Sequence, residues 1–249
     1  MIFDLDGVVY LGEEAVGNSG EVLNHIEGAG FTVLFATNNS WRTQDDGAAK
    51  IRRVTGYQAA PKQFISSSIA AASLLGPSDG PALMMGGPGV EEAIRIAGLE
   101  RTDDPNLARV VLAGLDRNLS YDSLAIAAEA VRRGARFIAT NLDATFPTPT
   151  GLMPGAGSVV AALRTASETE PEVAGKPFRP IRALLNESSG GGPSWMVGDR
   201  PDTDLAMADV EGWTSVLVLT GVTSDAEGVD PAPDLVLDSI ADLPPHLGL

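Results

Sequence analysis

Residues 1–12 read MIFDLDGVVYLG. Apolar residues surround Asp4 and Asp6, and Gly7 follows them. A short apolar run of this kind is the pattern of a strand buried on both faces, and such strands belong to parallel sheets covered by helices. Two carboxylates are costly inside a core. They are at home where the strand stops and a turn begins. In an open parallel sheet that edge, beyond the carboxyl ends of the strands, is where ligands bind.

The alternation continues outward from this stretch. Residues 21–30, EVLNHIEGAG, read as a helix ending at Gly28 or Gly30, and residues 32–40, TVLFATNNS, as a strand running into a polar turn. Residues 43–56, TQDDGAAKIRRVTG, carry Thr43 as N-cap, acids in the first turn and bases in the last, as the helix dipole favours. Gly and Pro then cluster in residues 68–81, SIAAASLLGPSDGP, which marks a boundary. A second strand–helix series with its own apolar faces follows. The chain returns through the helix 179–189, the strand SWMVGD at 194–199, the acidic turn RPDTD at 200–204, a helix at 205–212 and strands at 214–221 and 234–239. The expected fold class is α/β with a parallel sheet. Residues 1–76 and 177–249 are expected to form one discontinuous domain, and residues 77–176 an inserted one.

Charge and composition exclude several functions. Asp and Glu total 33 against 17 Lys and Arg, a net charge of −16, which repels phosphodiester backbones and argues against a nucleic-acid partner. The absence of Cys removes disulfides, zinc–thiolate sites and thiol nucleophiles. The first residues lack a secretory leader pattern, and no apolar run approaches the ~18 residues of a membrane span. A soluble, cytoplasmic chain with no membrane partner is expected.

Four polar loops share the strand-end position: Asp4 to Gly7, Thr37 to Ser40, Gly175-Lys176-Pro177, and Gly198-Asp199 through Asp204. Asp4 and Asp6, two apart on an extended segment, can project to one side. Clustered carboxylates repel one another unless a cation intervenes, and Mg²⁺ prefers a few carboxylate oxygens plus water and phosphate. Asp4 and Asp199 are the natural direct ligands. A carboxylate can also attack phosphorus and form an aspartyl-phosphate. Lys176 would neutralise phosphate charge and orient Asp4, while Thr37 and the amides beside Asn38 and Asn39 would hold phosphate oxygens. Competing motifs fail. An EF-hand loop needs an oxygen ligand where Val8 stands, Pro177 follows the Lys where a Walker loop needs Ser or Thr, and Val160 replaces the third glycine of a dinucleotide fingerprint. His25 and His246 read as structural or solvated residues, and Trp41, Trp195 and Trp213 as packing.

With DLDGVVY, ATNNS, GKP and GDRPDTD in this order, the sequence resembles the haloacid dehalogenase superfamily of phosphatases. Within it, the chain resembles the NagD-like group of subfamily IIA with a C2-type cap, which includes para-nitrophenyl, phosphoglycolate and glycerol-phosphate phosphatases. ATNLDATFPTPTGLMPGAGS at 139–158 is similar to that group's cap loop and its sequel, and LTGVTS and PDLVLDSIADL to its carboxyl-terminal segment. The resemblance implies a three-layer Rossmann-like core with an inserted α/β cap. It implies Asp4 as nucleophile and Asp6 as the acid, then base, of the reaction. It also implies Mg²⁺ held by the Asp4 side chain, the Asp6 carbonyl and Asp199, with Asp204 assisting through water or Lys176. Asn141 and Asp143 would lie on the cap loop that faces the substrate, and caps of this group often mediate homodimers. Arg200 and Asp202 fall within the fourth motif without an assigned role. Three residues precede Asp4, a shorter lead-in than is usual in the family; loss of an amino-terminal piece would weaken the first strand, and unaltered chemistry is expected.

The expected function is Mg²⁺-dependent hydrolysis of a small phosphorylated metabolite, of sugar phosphate, glycerol phosphate or phosphoglycolate type. Pyridoxal phosphate is also open. The alternatives are phosphoryl transfer to a second hydroxyl, as in a mutase, and a non-catalytic phospho-aspartate switch. The spacing of the acids and the inserted segment speak against the switch.

Overall fold

The computed structural model describes residues 1–148 and 151–249, so Pro149 and Thr150, within the stretch that resembles a cap loop, lie outside the described residues. In chain order the elements are β1 (Ile2–Phe3), β2 (Tyr10–Leu11), β3 (Glu14–Ala15), α1 (Ser19–Gly28), β4 (Leu34–Thr37), α2 (Gln44–Thr55), β5 (Phe64–Ser66) and α3 (Ser67–Ala72). There follow β6 (Ala82–Met85), α4 (Pro88–Ile96), β7 (Val110–Ala113), α5 (Tyr121–Arg132), β8 (Arg136–Ala139), β9 (Thr145–Thr148), β10 (Gly151–Pro154) and α6 (Ala156–Ser167). The chain ends with β11 (Glu172–Val173), α7 (Arg179–Ser189), β12 (Trp195–Gly198), α8 (Ala206–Glu211), β13 (Thr214–Val218) and β14 (Leu235–Leu237).

These elements fall into two compact units. The first comprises residues 1–37, 44–65 and 182–249, and the second residues 38–43 and 66–181. In the first, a six-stranded sheet runs in the order β14-β13-β12-β1-β4-β5. Ile2 and Phe3 pair in parallel with Met196 and Val197 on one side and with Leu34 and Phe35 on the other. Both β1 residues are fully buried, as a central strand with neighbours on each edge and helices on each face requires. Val22, Leu23 and Ile26 form the inward stripe of α1 and join Phe3, Phe35, Ile51 and Tyr57 in one core. Phe35 meets Phe3 and Tyr57 at ring-centroid distances of 6.5 and 5.8 Å.

Chain order decides where chemistry can sit in this sheet. The chain leaves β1 towards β4 and β5 and later fills the opposite side with β12, β13 and β14. The direction of winding therefore reverses between β1 and β12, and a crevice opens beyond the carboxyl ends at such a reversal. Asp4 follows β1 and Asp199 follows β12, so both acids occupy that point.

The second unit has its own sheet, parallel throughout, in the order β11-β8-β7-β6. α5 starts at a cap in which Ser120 Oγ accepts the Ser123 N–H at 3.0 Å. Its buried Ala127, Ala128, Ala130 and Val131 form a thin face on which α6 packs through Val159, Val160 and Leu163. Among the described residues, no helix is long and apolar enough to cross a membrane.

Candidate active site

In the first unit, carboxylate oxygens of Asp4, Asp199 and Asp204 all lie within 4.8 Å of one another. All three residues are buried, with Asp204 fully inaccessible. Local sequence explains how the loop after β12 holds them. Gly198 ends the strand, and Pro201 opens a wide π-helical turn over residues 201–205. Asp204 Oδ2 turns back and accepts the N–H groups of Asp199 and Arg200, at 3.2 and 3.1 Å. Asp199 Oδ2 accepts the Val222 N–H at 2.6 Å, from the loop after β13. A side chain at Gly7 or Gly221 would collide with Asp199, since a β-carbon there would stand 2.6 or 1.9 Å from its Oδ2; Gly7 also has φ +96°, a conformation that favours glycine. Thr220 Oγ1 donates to Gly7 C=O at 2.6 Å and ties the β1 loop to the β13 loop.

Three buried carboxylates this close repel one another and bind protons unless positive charge balances them. The donor set consists of hard oxygen atoms, which suits a small divalent cation such as Mg²⁺ and not a soft metal. Among the described residues this is the one group of three or more His, Cys, Asp or Glu side chains poised to hold a metal. Asp6 is not a member of that group. It is partly exposed and its Oδ1 faces Lys50 Nζ at 4.0 Å. Thr37, at the end of β4, is buried. Arg200 and Asp202 pair with each other through two contacts of 3.2 and 2.8 Å.

The remaining sequence-predicted residues gather in the second unit. Asn38 holds the backbone of Lys176 on both sides of its α-carbon: its Oδ1 accepts the Lys176 N–H at 2.8 Å, and its Nδ2 donates to the Lys176 C=O at 3.2 Å. The same Nδ2 donates to Asp143 Oδ1 at 3.1 Å. Asn141 Nδ2 donates to Asn38 C=O at 2.6 Å, and its Oδ1 accepts the Asp143 N–H at 3.0 Å. Asn141 is 2% exposed, and its amide braces the loop through these bonds. Asn39 Oδ1 caps the turn by accepting the Trp41 N–H at 3.1 Å. Ser67 Oγ donates to Asn38 C=O at 2.8 Å, a buried contact that sequence reasoning did not single out. Lys176 is 3% exposed.

Lys50 also escaped the sequence reading. Its signal is its helical position: with Gly47 and Ile51 it falls on the inward face of α2, where an ammonium is out of place unless something answers its charge. His25 and His246 are exposed, as expected for solvated residues.

Residues 1–100 match the family model of haloacid dehalogenase-like hydrolases, and residues 173–243 match a HAD-hydrolase-like model. An acid sugar phosphatase of Staphylococcus haemolyticus is 33% identical over 234 residues, covering 91% of this chain and 87% of that one. The chain belongs to the haloacid dehalogenase-like hydrolases. Its fold is that family's α/β core with an inserted cap. The glycerol phosphate phosphatase of Mycobacterium tuberculosis, in complex with magnesium, superposes with a TM-score of 0.88 at 34% identity, over 96% of this chain and 74% of that one. A p-nitrophenyl phosphatase from Archaeoglobus fulgidus gives a TM-score of 0.91 at 29% identity, over 98% and 97% of the two chains.

Proposed function

We propose that this hydrolase is a Mg²⁺-dependent phosphomonoesterase that acts on a small phosphorylated metabolite through an aspartyl-phosphate on Asp4. The observation that carries this is the buried Asp4–Asp199–Asp204 cluster at the winding reversal of the sheet. The phosphatase names of its relatives support it. Glycerol phosphate, sugar phosphates and phosphoglycolate are the substrate types that fit this reading.

The residues that would hold the metal are the Asp4 and Asp199 carboxylates and the Asp6 carbonyl, with Asp204 supporting the set. Mg²⁺, when bound, neutralises carboxylate and phosphate charge and polarises the phosphoryl group. The Asp4 carboxylate attacks phosphorus, the ester P–O bond breaks, and the leaving alkoxide takes a proton from Asp6. Asp6 then takes a proton from water as that water attacks the same phosphorus. The bond to Asp4 breaks and inorganic phosphate leaves. Thr37, the amides of Asn38 and Asn39, and Lys176 hold phosphate oxygens; each such charge-assisted bond contributes ~1.5–3 kcal/mol. Asp143, with Asn141 behind it, shapes the choice of substrate. Residues 77–176 are assigned to the cap domain and residues 1–76 and 177–249 to the core. A homodimer through the cap and a cytoplasmic place of action complete the reading.

The test is phosphate release from a panel of phosphorylated metabolites, with and without Mg²⁺, for the parent and Asp4→Asn. Metal-dependent release by the parent, with none from a folded Asp4→Asn, is expected. Near-normal turnover in Asp4→Asn would overturn the mechanism. Transfer to an added alcohol without free phosphate would replace hydrolysis by group transfer.

A further inference from the structure

Lys50 is a buried charge that the steps above leave unused. It sits in the middle of α2, 7% exposed. Its Nζ lies 4.0 Å from Asp6 Oδ1 and 3.7 Å above the centre of the Tyr10 ring. Tyr10 is 2% exposed and closes the turn that Asp6 opens. Gly7 N–H donates to Tyr10 C=O at 2.9 Å, and Tyr10 N–H donates to Leu5 C=O at 3.2 Å. One ammonium therefore faces both arms of the turn that carries Asp6.

An ammonium in a buried place needs opposing charge, and here a carboxylate and the negative face of a ring supply it from one loop. The seat on the ring fixes the ammonium, and the ammonium fixes the carboxyl. Lysine offers donors and no acceptor. At 4.0 Å the contact is an ion pair, which favours negative charge on the Asp6 oxygen that it faces and leaves proton exchange with substrate to the other. We propose that Lys50 is a positioning residue for proton transfer: it sets the rotation of the Asp6 carboxyl and presents one oxygen to the leaving group. This rests on Asp6 as the acid and base of the proposed reaction.

The experiment compares kcat/KM for two substrates that differ in leaving group, because this parameter covers the steps up to departure of the alcohol. Glycerol 3-phosphate releases a basic alkoxide that needs a proton, whereas p-nitrophenyl phosphate releases a stable phenolate that does not. Lys50→Met is expected to lower kcat/KM for glycerol 3-phosphate by about tenfold or more and for p-nitrophenyl phosphate by less than about threefold, since acid–base assistance is worth ~100-fold or more where it is needed. Lys50→Arg, which keeps the charge on a different frame, should show the same selectivity at smaller size. It also carries the test if Lys50→Met fails to fold. Losses of equal size on both substrates, or none, overturn the proposal. Asp6→Asn, run in parallel, separates the two claims. Uniform loss there removes the acid–base role of Asp6 and the proposal with it. Selective loss in Asp6→Asn beside uniform loss in Lys50→Met removes only the part given to Lys50.

Discussion

Asp199 is held by what its neighbours lack. Gly7 and Gly221 leave room for its carboxylate, and the Val222 N–H fixes one oxygen at 2.6 Å. Gly221→Ala would place a methyl 1.9 Å from Oδ2, so the carboxylate must swing away. The Mg²⁺ concentration for half-maximal phosphate release should then rise by roughly 10–100-fold, the usual cost of disturbing the support of a metal ligand. An unchanged metal requirement would show that the loop relaxes around the methyl. At this scale the sequence was informative about acids and silent about their supports. Asp4 and Asp199 stand out because each directly follows an apolar strand, and Asp204 because it shares the acidic turn with Asp199; each stretch alone also reads as an ordinary turn, and only their order along the chain is specific. The roles of Gly221, Ser67 and Lys50 were not legible, because each depends on contacts with residues far away in the chain. The hydrogen bonds of the Asn141 amide to Asn38 and Asp143 are likewise visible only in the coordinates.

Among the elements, periodicity carried the long ones. The helix expected at 43–56 is α2 at Gln44–Thr55, and the one expected at 179–189 is α7 with the same bounds. Short strands were less readable. MIFDL shrinks to Ile2–Phe3, and the β2–β3 and β9–β10 pairs, like β5, are not among the expected strands: none has within its own bounds the continuous apolar run that makes the equally short β4 and β12 legible. The junction after α2 supplies a prediction. Tyr57 is buried there; its hydroxyl donates to Glu27 at 2.8 Å and accepts from Gln63 at 2.9 Å. Burial, more than these bonds, pushes its phenol well above the ordinary value. A phenol raised on folding contributes stability that is present in full below the unfolded value of ~10 and is lost as pH climbs towards the folded one. Tyr57→Phe should therefore cost ~0.5–1.5 kcal/mol near neutrality, for the lost hydrogen bonds. The gap to the parent should narrow above about pH 10. Urea midpoints measured on both sides of that pH check the sign, and a gap that widens would contradict it.

For the molecule as a whole, three mutually repelling buried carboxylates couple stability to the metal. Mg²⁺ at about 100 times its Kd should stabilise the fold by ~2.7 kcal/mol and raise Tm by roughly 5–10 °C, an increment that a chelator removes. Asp199→Asn takes away one charge. It should raise the metal-free Tm and abolish the response to Mg²⁺; a metal-free Tm below that of the parent would mean that the hydrogen bond to Val222 outweighs the repulsion. The two-unit organisation has a consequence for biosynthesis. Strand β1 gains its neighbour β4 through Leu34 early, but its other neighbour β12 begins at Trp195. A nascent chain leaving the ribosome can complete the second unit while Asp4 still waits for both of its acidic companions. The acidic cluster thus closes only once Asp204 has emerged, after every residue of the second unit has been made.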